Sequence, residues 1–164
     1  MPTLAPPAST PPMKPLLDHF DPALTGMEIV RKMLDEDLRP PMGETLDMRL
    51  VEAEPGKITL ESTPDARMLN PVGTVHGGWV STLLDFACGY VVLSKLGPGQ
   101  RFTTLELKVV FHRALTTGSG AVRCEGTVVN MGRRVAFVEA KAFDAKDRLC
   151  ASATSTLLVL QPGG

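Results

Sequence analysis

The sequence has few of the residues that build metal sites or disulfide frameworks. Among its 164 residues are three cysteines and three histidines, and no two cysteines form a CxxC pair. An odd number of cysteines without that spacing argues against a disulfide scaffold and against a zinc site, so we expect no metal. Thiols that stay free and mostly buried suit a reducing compartment, which predicts a cytoplasmic protein.

Charge of one sign and long apolar runs are also scarce. There are 17 basic and 18 acidic residues, and the basic ones form no stripe that could follow a nucleic-acid backbone. The N-terminus has no basic segment followed by an apolar one, so it predicts no signal peptide. The longest apolar run is shorter than the roughly 20 residues of a membrane span and contains Asp85. We therefore expect neither a nucleic acid nor a membrane as partner.

Composition divides the chain into three segments. Residues 1–15 are rich in Pro, Ala, Ser and Thr and predict a disordered tail. Residues 16–43 predict an N-terminal helix and a linker, with a helix-start signal at Asp21 and Pro22. Residues 44–161 predict one domain of two strands, one helix and four strands. This order predicts an α+β fold in which one long helix packs on an antiparallel sheet.

The apolar run from Trp79 to Leu93 predicts the central helix of that domain. It is too long for a strand and contains no proline, which favours a helix of about four or five turns. Its apolar residues cover most of the helix circumference and predict burial on nearly all sides. An unpaired carboxylate is costly in such surroundings. Asp85 is therefore either a hydrogen-bonded residue at the edge of the core or a catalytic acid, base or nucleophile.

Gly77 and Gly78 stand at the start of this helix. Free N–H groups and the positive end of the helix dipole favour an anion or a developing oxyanion there, although the glycines could equally serve a tight turn. Asp85 follows Gly77 by eight residues, about 12 Å along the helix axis, so one carbonyl cannot contact both residues of one helix. Catalytic use of both predicts a dimer with shared sites, and a purely structural use does not.

These residues form a pattern that resembles an enzyme family. The pattern consists of Asn70, Gly73, His76, Gly77, Gly78 and Asp85. Followed by a long helix and a run of strands, it resembles the hotdog-fold acyl-CoA thioesterases, and among them the phenylacetate-degradation (PaaI-type) branch. The resemblance covers roughly residues 44–160. It implies a sheet wrapped around the helix, and a homodimer with shared active sites that pairs into a homotetramer, a dimer of dimers.

The resemblance also implies a role for each matching residue. The N–H of Gly77 would polarise the thioester carbonyl, and Asp85 of the partner subunit would act as nucleophile or general base. Asn70 would position water or the leaving thiolate. His76 would support the thioester or the loop, and Thr104 would hold water near the acid.

Further residues are candidates for binding the substrate. Arginine pairs well with phosphate, so Arg101, Arg133 and Arg134 are candidates for the coenzyme A phosphates, although each could be an ordinary solvated charge. Gly78 and Ser81 complete the predicted substrate-binding residues. Ser81 as a rival nucleophile lacks a G-x-S-x-G elbow, which favours a packed helix hydroxyl. The acyl pocket, or simply the core, could contain Trp79, Phe86, Tyr90, Phe102 and Leu105.

The predicted function is hydrolysis of an aryl- or medium-chain acyl-CoA to the free acid and coenzyme A. No cofactor is expected other than coenzyme A as part of the substrate. Two alternatives stay open, a non-catalytic acyl-CoA-binding hotdog module and a hotdog hydratase or dehydratase. No hydratase-type motif is present, and a module that only binds would have little need for Asp85.

Overall fold

The computed structural model describes residues 14–163, and the predicted tail over residues 1–15 lies almost entirely outside this range. A short 3-10 helix, Leu16–His19, precedes the first α-helix. The helices are α1 (Gly26–Asp35), α2 (Pro41–Thr45) and α3 (Gly77–Leu93). The strands are β1 (Arg49–Glu54), β2 (Lys57–Ser62), β3 (Arg101–Phe111), β4 (Val122–Met131), β5 (Val135–Phe143) and β6 (Leu149–Leu160).

The six strands form one antiparallel sheet in the order β1-β2-β4-β5-β6-β3. The long helix α3 packs against this sheet and contacts β2, β3, β4, β5 and β6. This arrangement confirms the predicted α+β hotdog architecture. Strands β1 and β3 are the two edges, and β3 pairs with β6 on one side only. The position of β3 leaves a long strand edge open beside the start of α3.

A glycine in β4 allows α3 to lie close to the sheet. A Cβ on Gly126 would lie 2.6 Å from the carbonyl oxygen of Ala87 and 3.0 Å from its carbonyl carbon. Because both atoms belong to the helix backbone, a side chain at this position would push the helix away from the strand. The contact places the buried side of α3, including Leu83, Leu84 and Val91, in the centre of the core.

The opposite side of α3 is less covered than the sequence predicts. Ten of its 17 residues are buried. The half-buried ones lie on one face and include Ser81, Thr82, Asp85, Phe86 and Tyr90. The prediction of burial on nearly all sides was therefore wrong for this face, because a single sheet covers the helix from one direction. No helix of the described part of the chain is long and apolar enough to cross a membrane.

The first α-helix begins later than predicted. It starts at Gly26 behind a capping box, in which Thr25 N–H donates to Glu28 Oε2 at 2.7 Å and Glu28 N–H donates to Thr25 Oγ1 at 3.3 Å. The predicted start at Asp21 was wrong, since Asp21 Oδ1 accepts the N–H of Ala23 in a turn. The reciprocal box satisfies two backbone or hydroxyl donors at once, which a lone aspartate does not.

The three cysteines are core residues. Cys88, Cys124 and Cys150 are free and buried, which confirms the predicted free thiols. Burial raises the pKa of Cys88 to about 12 and also raises the pKa of Cys124. These two thiols stay protonated at neutral pH and act as small apolar side chains.

Asp144 stabilises the turn from β5 to β6. Its almost fully buried carboxylate accepts the backbone N–H groups of Lys146 and Arg148 at 3.0 Å each and the Nε of Arg148 at 2.7 Å. The bond from the Arg148 side chain is the main reason that the pKa of Asp144 is lowered to about 2. Hydrogen bonds to a carboxylate favour its charged form, so the turn depends on an ionised Asp144.

We predict that Gly126→Ala lowers the free energy of unfolding by about 1 to 3 kcal/mol, the usual cost of overpacking a core. Urea denaturation monitored by circular dichroism measures this change. Gly132→Ala is the matched control, because its nearest neighbour, the Val135 oxygen, lies 3.6 Å from the new Cβ. Equal midpoints for the two variants would contradict the packing argument.

We predict that the stability contributed by Asp144 is lost in acid. The folded pKa lies below the unfolded one, so the contribution is fully present above about pH 4 and disappears as the pH falls toward about 2. The unfolding free energies of the wild type and Asp144→Asn should therefore differ most at neutral pH and converge in acid. Urea titrations over this pH range measure the difference, and a constant difference would be inconsistent with the prediction.

Candidate active site

One backbone N–H is left free at the start of α3. His76 is the cap residue before Gly77, and its Nδ1 accepts the N–H of Gly78 at 2.9 Å. The His76 carbonyl accepts the N–H of Trp79 at 3.0 Å. Within residues 14–163, the N–H of Gly77 donates to no acceptor. It is therefore the donor that the positive end of the helix can offer to a ligand.

Gly77 and Gly78 are both predicted site residues, but their N–H groups differ in bonding. The Gly78 N–H is already engaged, so Gly77 is the glycine whose N–H can meet a carbonyl oxygen. The His76 side chain caps the helix, and its backbone N–H donates to the Met68 carbonyl in the preceding segment at 2.7 Å. With Nδ1 accepting, the neutral imidazole carries its proton on Nε2. The histidine thus fixes the first turn of α3 and the direction of the Gly77 N–H.

Asn70 shapes the loop that leads to this turn. Its Oδ1 accepts the N–H groups of Val72 and Thr74 at 3.0 and 3.1 Å, and its Nδ2 donates to Thr74 Oγ1 at 2.8 Å. Gly73 has a φ of +85°, which favours glycine. Asn70 therefore closes a tight loop and keeps one amide hydrogen for another partner.

The carboxylate predicted as the catalytic acid lies further along the helix. Asp85 is half-buried, and its Oδ1 accepts a hydrogen bond from Thr104 Oγ1 of β3 at 3.1 Å. The structure thus brings together the acid and the threonine that the sequence analysis placed near it. The eight-residue step from Gly77 to Asp85 corresponds to about 12 Å along α3. Each chain therefore holds two half-sites, one at Gly77 and one at Asp85.

An aromatic ring that was not among the predicted site residues lies at the Gly77 half-site. The ring of Phe111, the last residue of β3, lies 3.1 to 3.6 Å from the position of a Cβ on Gly77. Strand alternation counted from Thr104 would place Phe111 on the opposite face, because the two are an odd number of residues apart. A bulge between Thr104 and Glu106 reverses the alternation and turns Phe111 toward the helix. Only the pairing register reveals this reversal.

Ser81 is tied to the helix backbone. Its Oγ donates to the carbonyl oxygen of Gly77 at 2.8 Å, and Thr82 Oγ1 donates to that of Gly78 at 2.9 Å. Both hydroxyls therefore bond one turn back along α3. This geometry agrees with a packed helix hydroxyl at Ser81 and places it one turn from the Gly77 half-site.

The three predicted phosphate-binding arginines lie at one end of the sheet. Arg101 faces Leu160 in the register of β3 and β6 and forms an ion pair with Asp18 at 3.2 Å. The carbonyl of Arg134 accepts the N–H of Val159, and Arg133 and Arg134 line a surface cavity of about 320 Å³. This end of β3 is nearer to Thr104 than to Phe111, so the arginines are closer to the Asp85 half-site.

Aromatic side chains border the open face of α3. The rings of Phe86 and Tyr90 meet edge to face with centroids 5.6 Å apart, and both are half-buried. Burial raises the pKa of Tyr90, so its hydroxyl stays protonated and can donate. Trp79 is 5% exposed and belongs to the core, whereas Leu105 in the β3 bulge is 58% exposed. Phe86 and Tyr90 are thus the predicted pocket residues that reach the open face.

The two half-sites have complementary chemistry. A free N–H at a helix start stabilises negative charge that develops on a carbonyl oxygen. A carboxylate that accepts from a hydroxyl can remove a proton from water or attack a carbonyl carbon itself. Together they fit acyl transfer to water.

Comparisons with known proteins agree with the fold and with this chemistry. The family model described as the thioesterase superfamily matches residues 72–151. The proofreading thioesterase EntH of Klebsiella pneumoniae is 32% identical over 100 residues, which cover 59% of this chain and 69% of EntH. A protein of Saccharolobus solfataricus, named provisionally as an esterase, is 36% identical over 89 residues, or 53% of this chain. The chain spans only 56% of the length of that relative.

Solved structures extend the likeness beyond the matched segment. The crystal structure of a phenylacetic acid degradation-related protein from Ralstonia eutropha superposes with a TM-score of 0.72 and 26% identity. The match covers 79% of this chain and 98% of that one. The sequence match and the fold therefore agree, and the chain belongs to the thioesterase superfamily as a hotdog-fold member of the PaaI type.

Proposed function

We propose that the protein hydrolyses the thioester of an aryl- or medium-chain acyl-CoA, giving the free acid and coenzyme A. The observation that carries the proposal is the unpartnered N–H of Gly77 at the positive end of α3. Attack on a thioester carbonyl produces an anionic tetrahedral species. A donor aimed at the developing oxyanion is worth about 3 to 4 kcal/mol of transition-state stabilisation.

Asp85 supplies the second half of the reaction. As a general base it takes a proton from water while the water oxygen bonds to the carbonyl carbon. As a nucleophile it forms an acyl-enzyme that water then hydrolyses. In both cases the C–S bond breaks, and the thiolate of coenzyme A leaves and takes up a proton. The hydrogen bond from Thr104 holds the carboxylate, and the threonine oxygen can accept from the same water.

The open edge of β3 supports a dimer that unites the half-sites. In the register with β6, Thr104 and Phe111 pair with Leu157 and Ala151, which lie three positions on either side of Thr154, the partner of Lys108. Antiparallel pairing of two β3 strands about Lys108 would set Thr104 opposite the partner subunit's Phe111. Asp85, bonded to Thr104, would then approach Gly77 of the partner subunit. Pairing of such dimers into a tetramer remains a prediction.

The surroundings of the half-sites support the proposed substrate class. Phe86 and Tyr90 offer an apolar face that an aryl or alkyl group can cover. Arg101, Arg133 and Arg134 at the adjoining end of the sheet offer positive charge to the phosphates of coenzyme A. An apolar wall beside a cationic surface suits a ligand that joins an acyl group to a polyphosphate.

We predict that Asp85→Asn lowers kcat for acyl-CoA hydrolysis by at least about a hundredfold, because the amide can neither accept the proton nor attack. Steady-state release of thiol from a panel of aryl and aliphatic acyl-CoAs measures the effect. Asp35→Asn, which changes an exposed carboxylate at the end of α1, is the control and should keep full activity. A folded Asp85→Asn variant with wild-type kcat would show that Asp85 acts neither as general base nor as nucleophile.

We predict that two inactive variants restore each other. Gly77→Val places its side chain against the Phe111 ring and blocks the Gly77 half-site, while Asp85→Asn inactivates the other. Random exchange of subunits makes half of the dimers mixed, and each mixed dimer has one of its two sites intact. The mixture should therefore regain about one quarter of wild-type activity.

Differently tagged subunits allow the mixed dimer to be isolated before the assay. Each variant alone, taken through the same exchange, should stay inactive. A purified mixed dimer without activity would show that the site does not combine Gly77 of one subunit with Asp85 of the other.

A further inference from the structure

Phe111 occupies an unusual position for a large aromatic residue. It is 55% exposed, yet its ring lies against Gly77, 3.1 Å from the position of a Cβ there. A ring that only filled the core would be buried. In the single chain this residue instead leaves more than half of its surface open beside Gly77, whose N–H donates to no acceptor within residues 14–163.

Backbone hydrogen bonds on both sides fix this position. Phe111 pairs with Ala151, and the next two residues, His112 and Arg113, donate their N–H groups to the Cys150 carbonyl at 2.8 and 3.0 Å. The chain before Gly77 is tied to the same segment, since Val75 N–H donates to the Leu115 carbonyl at 2.8 Å. The ring and the free N–H are therefore parts of one rigid unit.

A bound thioester would bring its carbonyl substituents to this ring. The carbonyl oxygen would lie about 2.9 Å from the Gly77 nitrogen, so atoms attached to the carbonyl carbon fall within van der Waals reach of Phe111. One substituent is the acyl α-carbon and the other is the sulfur that begins the pantetheine arm. An apolar acyl group gains from covering an exposed ring, whereas the amide-bearing arm would lose water from its polar groups. The acyl α-carbon is therefore the better neighbour.

We propose that Phe111 determines the specificity of the site at the acyl α-carbon. The ring accepts an unbranched CH₂ beside the thioester carbonyl and collides with a branched carbon. The Cβ position of Gly77 lies only 3.1 Å from the nearest ring atom, closer than an ordinary carbon contact, so a branch on this side of the carbonyl meets the ring. The proposal rests on the proposed thioesterase function and adds a selection against α-branched acyl-CoAs.

Two pairs of isomeric substrates test this selection, hydrocinnamoyl-CoA against hydratropoyl-CoA and octanoyl-CoA against valproyl-CoA. The members of each pair contain the same atoms and differ in branching at the α-carbon. The wild type should favour the unbranched member. Phe111→Ala should shift the ratio of kcat/KM values toward the branched member by about tenfold or more, the usual effect of one or two methyl groups in an apolar pocket.

Three further variants separate selectivity from stability. Phe111→Tyr keeps the ring and should keep the wild-type ratio. Phe111→Leu should shift the ratio part of the way, and it replaces the alanine variant if that one does not fold. Val110→Ala changes the neighbouring exposed residue, which pairs with Ser152 on the other face of β3, and should leave the ratio unchanged.

The ratio is the decisive readout, because a merely structural role would lower activity toward both isomers equally. A ratio within about twofold of wild type in folded Phe111→Ala and Phe111→Leu would overturn the proposal, since the expected pocket effect is larger. An equal shift in Val110→Ala would overturn it as well. If the wild type hydrolyses neither unbranched substrate, the proposed function fails instead, so the two failures are distinguishable.

Discussion

The close contact of α3 with the sheet is the constraint on which the rest of the structure depends. The backbone of Ala87 rests on Gly126, at a distance that leaves no room for a side chain. Because the helix is held there, its start points Gly77 toward the end of β3, and its middle presents Asp85 to Thr104. The sheet covers α3 from one direction, so the helix face that carries Asp85 stays partly open.

The same helix separates the two groups that the proposed hydrolysis uses. A straight α-helix rises about 1.5 Å per residue, so eight residues keep the Gly77 N–H and the Asp85 carboxylate apart. A second copy of the chain can bring a donor and an acid together, because β3 is an edge strand with Thr104 and Phe111 near its two ends. The proposed need for two subunits thus follows from the rigidity of one helix.

Local interactions around Gly77 show how the loop positions the start of α3. Asn70 closes the loop and His76 caps the helix, and both use most of their hydrogen-bonding groups within the chain. Together they leave the Gly77 N–H without an acceptor among the described residues and hold it in a fixed direction. Preorganised donors of this kind need no rearrangement when charge develops on a substrate oxygen.

Local pattern by itself determined the central helix, the antiparallel strands and the spacing between a helix-start glycine and an acid on the same helix, because periodicity and residue spacing are properties of short segments. Local pattern predicted the wrong start for α1, which begins behind the capping box of Thr25 and Glu28 rather than at Asp21. It also predicted burial for the face of α3 that is only half-buried. Only the tertiary structure decided that Gly77 rather than Gly78 keeps its N–H free of acceptors among the described residues, and that the Phe111 ring lies beside Gly77. The first depends on the orientation of the His76 side chain, whose Nδ1 accepts the Gly78 N–H. The second depends on a contact between distant segments and on a bulge whose position the pairing of β3 with β6 sets.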